Sequence, residues 1–238
     1  MADSRKKDLL LPYLRALKKV MVSGPYLATI QPVVNSLFFN QLVVRTRNFG
    51  RITWLGKPIW QNVLDLWTIQ ETIFEVKPSL IIESGTNRGG SAYFYAQLFD
   101  LMGHGQVITI DIHRLHDLSH PRIQFVIGSS LDDSVLETVR EAVARNPGPV
   151  MVILDSDHRA AFVRQEMERL APFVTPSSFM LVQDGVVDVL PIFRRGRPGP
   201  LVAIKEFLRT HREFEVDQAR TDRFLITHHP SGWLKRVR

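Results

Sequence analysis

The stretch Ser79-Leu80-Ile81-Ile82-Glu83-Ser84-Gly85-Thr86-Asn87-Arg88-Gly89-Gly90-Ser91 decides the fold class. An apolar run ends in an acid and breaks into a glycine-rich turn before a helix-like segment, as a first parallel strand does when it feeds a ligand-binding turn. Glycines let the backbone approach a nucleotide-like ligand, and the helix N-terminus offers unpaired N–H groups. The spacing is G-x-x-x-G-G with an acid two residues before the first glycine, not the G-x-G-x-x-G of dinucleotide binders. A carboxylate beside the turn repels a pyrophosphate and pairs with a cation, so the turn suits the sulfonium and amino group of S-adenosylmethionine. An ordinary strand-to-helix turn is the competing reading.

Working outward, Val63 to Val76 places Leu66, Ile69, Ile73 and Val76 at helical steps and stops before Pro78. Further strands are expected at Val107–Ile110, Ile123–Ile127, Val150–Leu154 and Phe179–Val182, with helices at Ser91–Leu101, Leu131–Ala144 and Arg159–Leu170 between them. This alternation predicts an α/β fold, a parallel-dominated sheet with helices on both faces. Pro191 to Pro200 reads as a loop, followed by a helix over Leu201–Thr210 and a terminal strand pair, Phe214–Val216 with Phe224–Thr227.

Ligands of open α/β sheets collect at the carboxyl ends of the strands. The five strands end at Glu83, Asp111, Gly128-Ser129-Ser130, Asp155-Ser156-Asp157-His158 and Gln183-Asp184, all rich in acids, amides and hydroxyls. Asp111 stands where a carboxylate can accept both hydroxyl protons of a ribose, or cap the following turn. Ser129 and Ser130 suit an adenine edge or a helix cap. Carboxylates on neighbouring strand ends, Asp155, Asp157 and Asp184, repel one another unless a hard divalent cation with oxygen ligands holds them, and Gln183 can add a neutral oxygen. Either of the first two acids can instead cap the helix near Arg159. His158, three residues after Asp155, is a candidate proton acceptor or a structural histidine.

The chain has 238 residues and no cysteine, which excludes disulfides, thiolate metal sites and a cysteine nucleophile. Its net charge of +6 is uneven: residues 1–58 carry ten Lys/Arg against Asp3 and Asp8, an excess of +8, and the remainder is −2. Ser4 to Val20 alternates basic and apolar residues at roughly helical spacing, and Val20 to Val44 carries no charge. The latter is interrupted by Gly24, Pro25, Pro32 and several amides, a poor spanning helix. Two readings stand for residues 1–58: helices packed on the main domain or on a partner subunit of a homo-oligomer, or a basic amphipathic element on an anionic membrane surface. Residues 59–238 form the main domain in either case. The absence of a secretory pattern predicts a cytoplasmic chain, peripheral to the membrane in the second reading. Nucleic acid is not expected as a partner, since the basic excess lacks interleaved aromatics, a zinc pattern or a helix-turn-helix.

From Trp54 onward, over about 180 residues, the chain resembles the family of rhamnosyl O-methyltransferases and so-called cephalosporin hydroxylases, Rossmann-like proteins that bind S-adenosylmethionine. The matching residues are Trp60 with Asp65-Leu66-Trp67 and Gln70-Glu71, Glu83-Ser84-Gly85-Thr86 with Gly89-Gly90-Ser91-Ala92, Ile153-Leu154-Asp155-Ser156-Asp157-His158, Gly199-Pro200 with Ala203-Ile204, and Pro230-Ser231-Gly232-Trp233-Leu234. The resemblance implies methyl transfer from S-adenosylmethionine to a hydroxyl of a sugar, glycolipid or related natural product. It implies Glu83, Gly85, Thr86, Gly89 and Ser91 at the methionine end, Asp111 at the ribose, and Ser129 and Ser130 at the adenine. It further implies magnesium on Asp155 and on the residues after the fifth strand, Gln183 and Asp184, with His158 as general base. The family's Glu-Asp pair is Gln183-Asp184 here, so one anionic ligand is neutral. The loop Arg194–Pro200 is expected over the acceptor, its arginines suiting phosphate or carboxylate. Two alternatives remain open: a non-catalytic binding protein that kept the fold, and a hydroxylase-type oxidoreductase.

Overall fold

The computed structural model describes residues 12–20 and 24–238. The chain divides into two units, Met1–Arg45 and Thr46–Arg238. In the first, residues 12–20 form helix α1, and the part of the expected Ser4–Val20 helix before residue 12 lies outside the described residues. Helix α2 (Gly24–Phe39) contains Pro32 and runs into a π-helical turn, Asn40–Arg45. On α1 the apolar Tyr13, Leu14, Leu17 and Val20 are exposed beside Lys18 and Lys19. No helix among the described residues is long and apolar enough to cross a membrane.

The second unit starts earlier than the composition change at Pro58 suggests. A two-stranded hairpin, β1 (Thr53–Trp54) and β2 (Lys57–Pro58), belongs to it. Trp54 packs edge-on against Phe94, and a Cβ on Gly90 would overlap the Pro58 carbonyl. A charge pattern does not register such packing.

Helix α3 (Val63–Val76) opens on Asn62, whose side chain accepts from the Leu64 N–H, and ends at Lys77 in the left-handed region. The chain then alternates β3 (Leu80–Ser84), α4 (Gly90–Met102), β4 (Gln106–Asp111), β5 (Ile123–Ile127), α5 (Asp133–Arg145), β6 (Val150–Leu154), α6 (Ala160–Leu170), β7 (Phe179–Val182), α7 (Pro200–Thr210), β8 (Phe214–Val216), the single turn α8 (Gln218–Thr221) and β9 (Trp233–Arg236). The strands form one seven-stranded sheet in the order β5-β4-β3-β6-β7-β9-β8. The first five are parallel, and β9 lies antiparallel between β7 and β8. The expected α/β architecture is borne out, with helix bounds within two residues of the reading.

Period-two alternation divides the strands between two cores. Leu80, Ile82, Ile108, Val152 and Met180 face α5, α6 and α7, whereas Ile81, Val107, Met151, Ile153 and Leu181 face α3 and α4. The terminal pairing departs from expectation. Phe224–Thr227 is not a strand; β8 pairs with Trp233–Arg236 instead. Thr227 donates its hydroxyl to Asp65 on α3, and Leu225 is left-handed at φ 63°, so that segment is committed elsewhere, while Trp233 and Leu234 fill the sheet interior.

The chain leaves β3 toward β4 and β5, then returns to its other side at β6. The strand order therefore reverses between β3 and β6, and a crevice opens at their carboxyl ends.

Candidate active site

A cleft of about 620 Å³ occupies that crevice. Its wall includes Gly85, Thr86 and Ser91 from the first turn and helix start, Asp111 at the end of β4, Ser129 and Ser130 after β5, Asp155 to Arg159 after β6, and Asp184 after β7. Three of the predicted ligand residues, Glu83, Gly89 and Gln183, are not on the wall.

Gly85 is required by the way the strands converge. Its φ is +97°, and a Cβ there would overlap the Asp155 backbone carbonyl. The ends of β3 and β6 can thus approach closely, bringing the turn beside the Asp155 carboxylate.

Glu83 is fully buried behind the turn. Thr109 donates to its Oε2 at 2.5 Å, and Thr86 Oγ1 lies 2.7 Å from the Thr109 hydroxyl. Since the one proton of Thr109 goes to Glu83, Thr86 donates to Thr109. Burial pushes the Glu83 carboxyl up to about 7 against the hydrogen bonds of Ser91 and Thr109. Gly89 has φ +78° as the residue before α4, and its carbonyl accepts from Tyr93 N–H.

Asp111 accepts the Asn87 N–H on Oδ2 at 2.8 Å and the His113 N–H on Oδ1 at 3.1 Å. Each oxygen keeps lone-pair capacity for a ligand. Ser129 Oγ accepts the Leu131 N–H, a turn-forming contact, and Ser130 donates to Glu166 on α6.

One oxygen or nitrogen each from Asp155, His158 and Asp184 lie within 4.8 Å of one another. His158 Nε2 is 3.1 Å from Asp184 Oδ2. Burial, then the charge of Asp184, holds the Asp155 carboxyl well above the usual carboxylate range. Burial also raises Asp184, but the hydrogen bond from His228 and the charge of His158 outweigh it, leaving that carboxyl lowered. Two carboxylates and an imidazole in this proximity form a donor set that fits a hard divalent cation. Gln183 sits differently: it is off the cleft wall, and its Oε1 accepts at 2.6 Å from Gln61 Nε2, which also donates to Asp155 Oδ2 at 2.8 Å. Asp157 forms a bidentate pair with Arg159 and accepts its N–H, the capping role.

Sequence reasoning missed Gln61, Glu166, His228 and His229. Asp184 is left-handed at φ 57°, and its N–H donates to His229 Nδ1 at 3.1 Å. Neutral His229 therefore carries its proton on Nε2, 3.7 Å from the buried Asp65. Burial first keeps His229 below the usual imidazole range. The Pro230-to-Leu234 match pointed to this segment without revealing that its preceding histidines reach across to β7. The loop at 194–200 is a correction. None of its residues lines the cleft; Arg197 donates to the carbonyls of Val187 and Leu190, and Pro198 accepts the Ala160 N–H.

A family model described as Rhamnosyl O-methyltransferase/CmcI matches residues 46–237, starting where the second unit starts. The chain belongs to this family. It is accordingly an O-methyltransferase. A Rhamnosyl O-methyltransferase of Mycobacterium bovis (strain BCG / Pasteur 1173P2) is 33% identical over 192 residues, 78% of each chain. One from Mycobacterium leprae (strain TN) is 34% identical over 189 residues, 77% of this chain and 82% of its own. The solved structure described as cmcI-D160 Mg-SAM superposes with a TM-score of 0.64 at 21% identity, covering 79% of this chain and 78% of that one. That likeness concerns the fold.

Proposed function

We propose that this chain moves the methyl group of S-adenosylmethionine to a hydroxyl of a sugar, sugar-bearing lipid or related natural product, with a divalent cation at Asp155 and Asp184. The observation that carries the reading is the Asp155–His158–Asp184 cluster at one end of the cleft that Gly85, Thr86, Ser91 and Asp111 also line. The relatives named Rhamnosyl O-methyltransferase support a sugar acceptor. When bound, the donor supplies an electrophilic methyl on a sulfonium and the cation lowers the pKa of an acceptor hydroxyl.

The chain's own groups do the rest. Gly85, Thr86 and Ser91 face the methionine end, and Glu83 and Gly89 act from behind, through the Thr109–Thr86 chain and through the turn. Asp111 accepts the ribose hydroxyls on the lone pairs its two backbone donors leave. Ser129 and Ser130 flank the adenine. Trp60, half exposed on the wall, offers an aromatic face to the acceptor ring. With Nε2 facing Asp184, neutral His158 keeps its Nδ1 lone pair for the acceptor proton. Gln183, bonded through Gln61 to Asp155, supports the cation site as a neutral neighbour.

Calorimetry tests the cofactor. S-adenosylmethionine or its demethylated product is expected to bind in the range of about 1 µM to 1 mM typical of enzyme substrates, and NAD and NADP not at similar concentration. Asp111→Ala should weaken that binding by about 1–3 kcal/mol, the scale of a lost charge-assisted pair. Tight dinucleotide binding, or an Asp111→Ala variant with unchanged affinity, refutes the assignment.

We also propose that the exposed Leu/Tyr face and lysines of α1 rest on anionic membrane. The full-length chain is expected to co-sediment with phosphatidylserine-containing but not purely phosphatidylcholine vesicles, and to be released by salt as charge is screened within about 10 Å at 0.1 M. Retention in the supernatant at low salt assigns the segment to protein packing instead.

A further inference from the structure

Among the described residues, a second polar cluster surrounds Glu166 behind the cleft. This carboxylate sits on α6 at 0% exposure, an unusual place for an acid. Ser130 Oγ donates to its Oε1 at 2.5 Å and Ser156 Oγ to the same oxygen at 2.7 Å. The hydroxyl of Ser84 is a third neighbour and, like Glu166 Oε2, is buried without a hydrogen-bond partner. Ser84 ends β3, Ser156 follows β6 and Ser130 follows β5, so the cluster gathers the ends of three strands.

Each serine adjoins the cleft. Ser130 and Ser156 lie on its wall, and Ser84 precedes Gly85. Ser156 stands between Asp155 and Asp157 in the turn that also carries His158, whereas Ser130 belongs to the wall beyond Asp111. A displacement of either turn must stretch a bond to the same buried oxygen, and a half-satisfied buried carboxylate is costly.

We propose that Glu166 is a positioning residue that ties the Ser130 wall to the Asp155–His158 turn, so that cofactor and cation binding are energetically coupled through it. This rests on the cofactor and cation reading given above. Coupling of this kind is reciprocal: whatever factor the cofactor imposes on cation affinity, the cation imposes on cofactor affinity.

The test is calorimetry on the full-length chain. Mg²⁺ is titrated with and without saturating S-adenosylhomocysteine, and S-adenosylhomocysteine with and without Mg²⁺, in the native sequence, Glu166→Leu and Glu166→Gln. In the native chain the two ratios should agree and depart from one by about fivefold or more, the ordinary scale of coupling between sites. Glu166→Leu should bring the ratio to within about twofold of one, below the range of coupled sites. Glu166→Gln should restore it, because its amide oxygen accepts the same two serines and its NH₂ can donate to Ser84. Ser156→Ala, which cuts only the link to the Asp155 turn, should also lower the ratio, and it serves as the deciding variant if Glu166→Leu does not fold. A native ratio of one, an unchanged ratio in Glu166→Leu or in Ser156→Ala, or a Gln variant as uncoupled as the Leu variant overturns the proposal. Failure of the native chain to bind either ligand would overturn the functional reading itself, a distinguishable result.

Discussion

Asp155→Ala is expected to abolish cation-dependent methyl transfer, and His158→Ala to lower the transfer rate by about 10²–10⁴ while sparing cofactor binding, the usual share of a general base. The two differ in what they bring to the shared cluster: Asp155 is a carboxylate held by Gln61, whereas His158 is an imidazole with Nε2 3.1 Å from Asp184. Gln183→Glu extends the series. Its new carboxylate would stand where Oε1 now accepts from Gln61, beside Asp155, and should tighten Mg²⁺ binding by Coulomb attraction in a partly buried site. The measurement is transfer to a panel of rhamnosyl and other vicinal-diol acceptors with Mg²⁺ and with a chelator. Full transfer by His158→Ala removes that residue from the chemistry, and full transfer in chelator removes the cation. A chain that binds cofactor and cation yet transfers to no acceptor is the binding module left open by the Gln183 departure.

The second large effect is structural. Gly85→Ala places a methyl group on the Asp155 carbonyl at a backbone φ of +97°, and no side-chain rotation can relieve a clash between two backbones. Adding about 1–2 kcal/mol for the left-handed conformation to about 1–3 kcal/mol for overpacking gives a melting drop of roughly 5–15 °C. Gly103→Ala is the control: φ is +75° there, but nothing lies within 4 Å of the added carbon. Equal melting temperatures for the two variants would show that β3 and β6 do not approach as described. A large drop with Mg²⁺ affinity also lost would show that the same approach places Asp155.

The parallel strands and the residues at their ends were legible in the sequence because a strand buried on both faces must be an apolar run, and the turn after it must carry whatever chemistry the crevice has. Asp111 and Asp155 are read off such positions. What stayed illegible depends on partners far along the chain. Glu166 sits in an ordinary helical polar pattern, which does not show that it is buried or that Ser130 and Ser156 donate to it. His229 looks like one of two adjacent histidines in a turn until the antiparallel return of the chain sets it against Asp184. Gln183 read as a ligand from its place after β7, but Gln61, more than a hundred residues earlier, occupies its oxygen. Phe224–Thr227 resembled a strand by composition, and lost that role to Trp233–Arg236 because α3 offered Asp65 to Thr227.

The placement of β9 also bears on the order in which the protein is made. Trp233–Arg236 emerges from the ribosome after β7 and β8, yet it lies between them. Until it arrives β7 has an open edge, β8 has no neighbour, and His228 and His229 have not yet closed on Asp184. The nascent chain can build β3 to β7 as it is synthesised, with long-range pairing deferred to the end. During that interval the half-made turn around Asp184 stands beside an unpaired strand edge, a species vulnerable to association with its own copies.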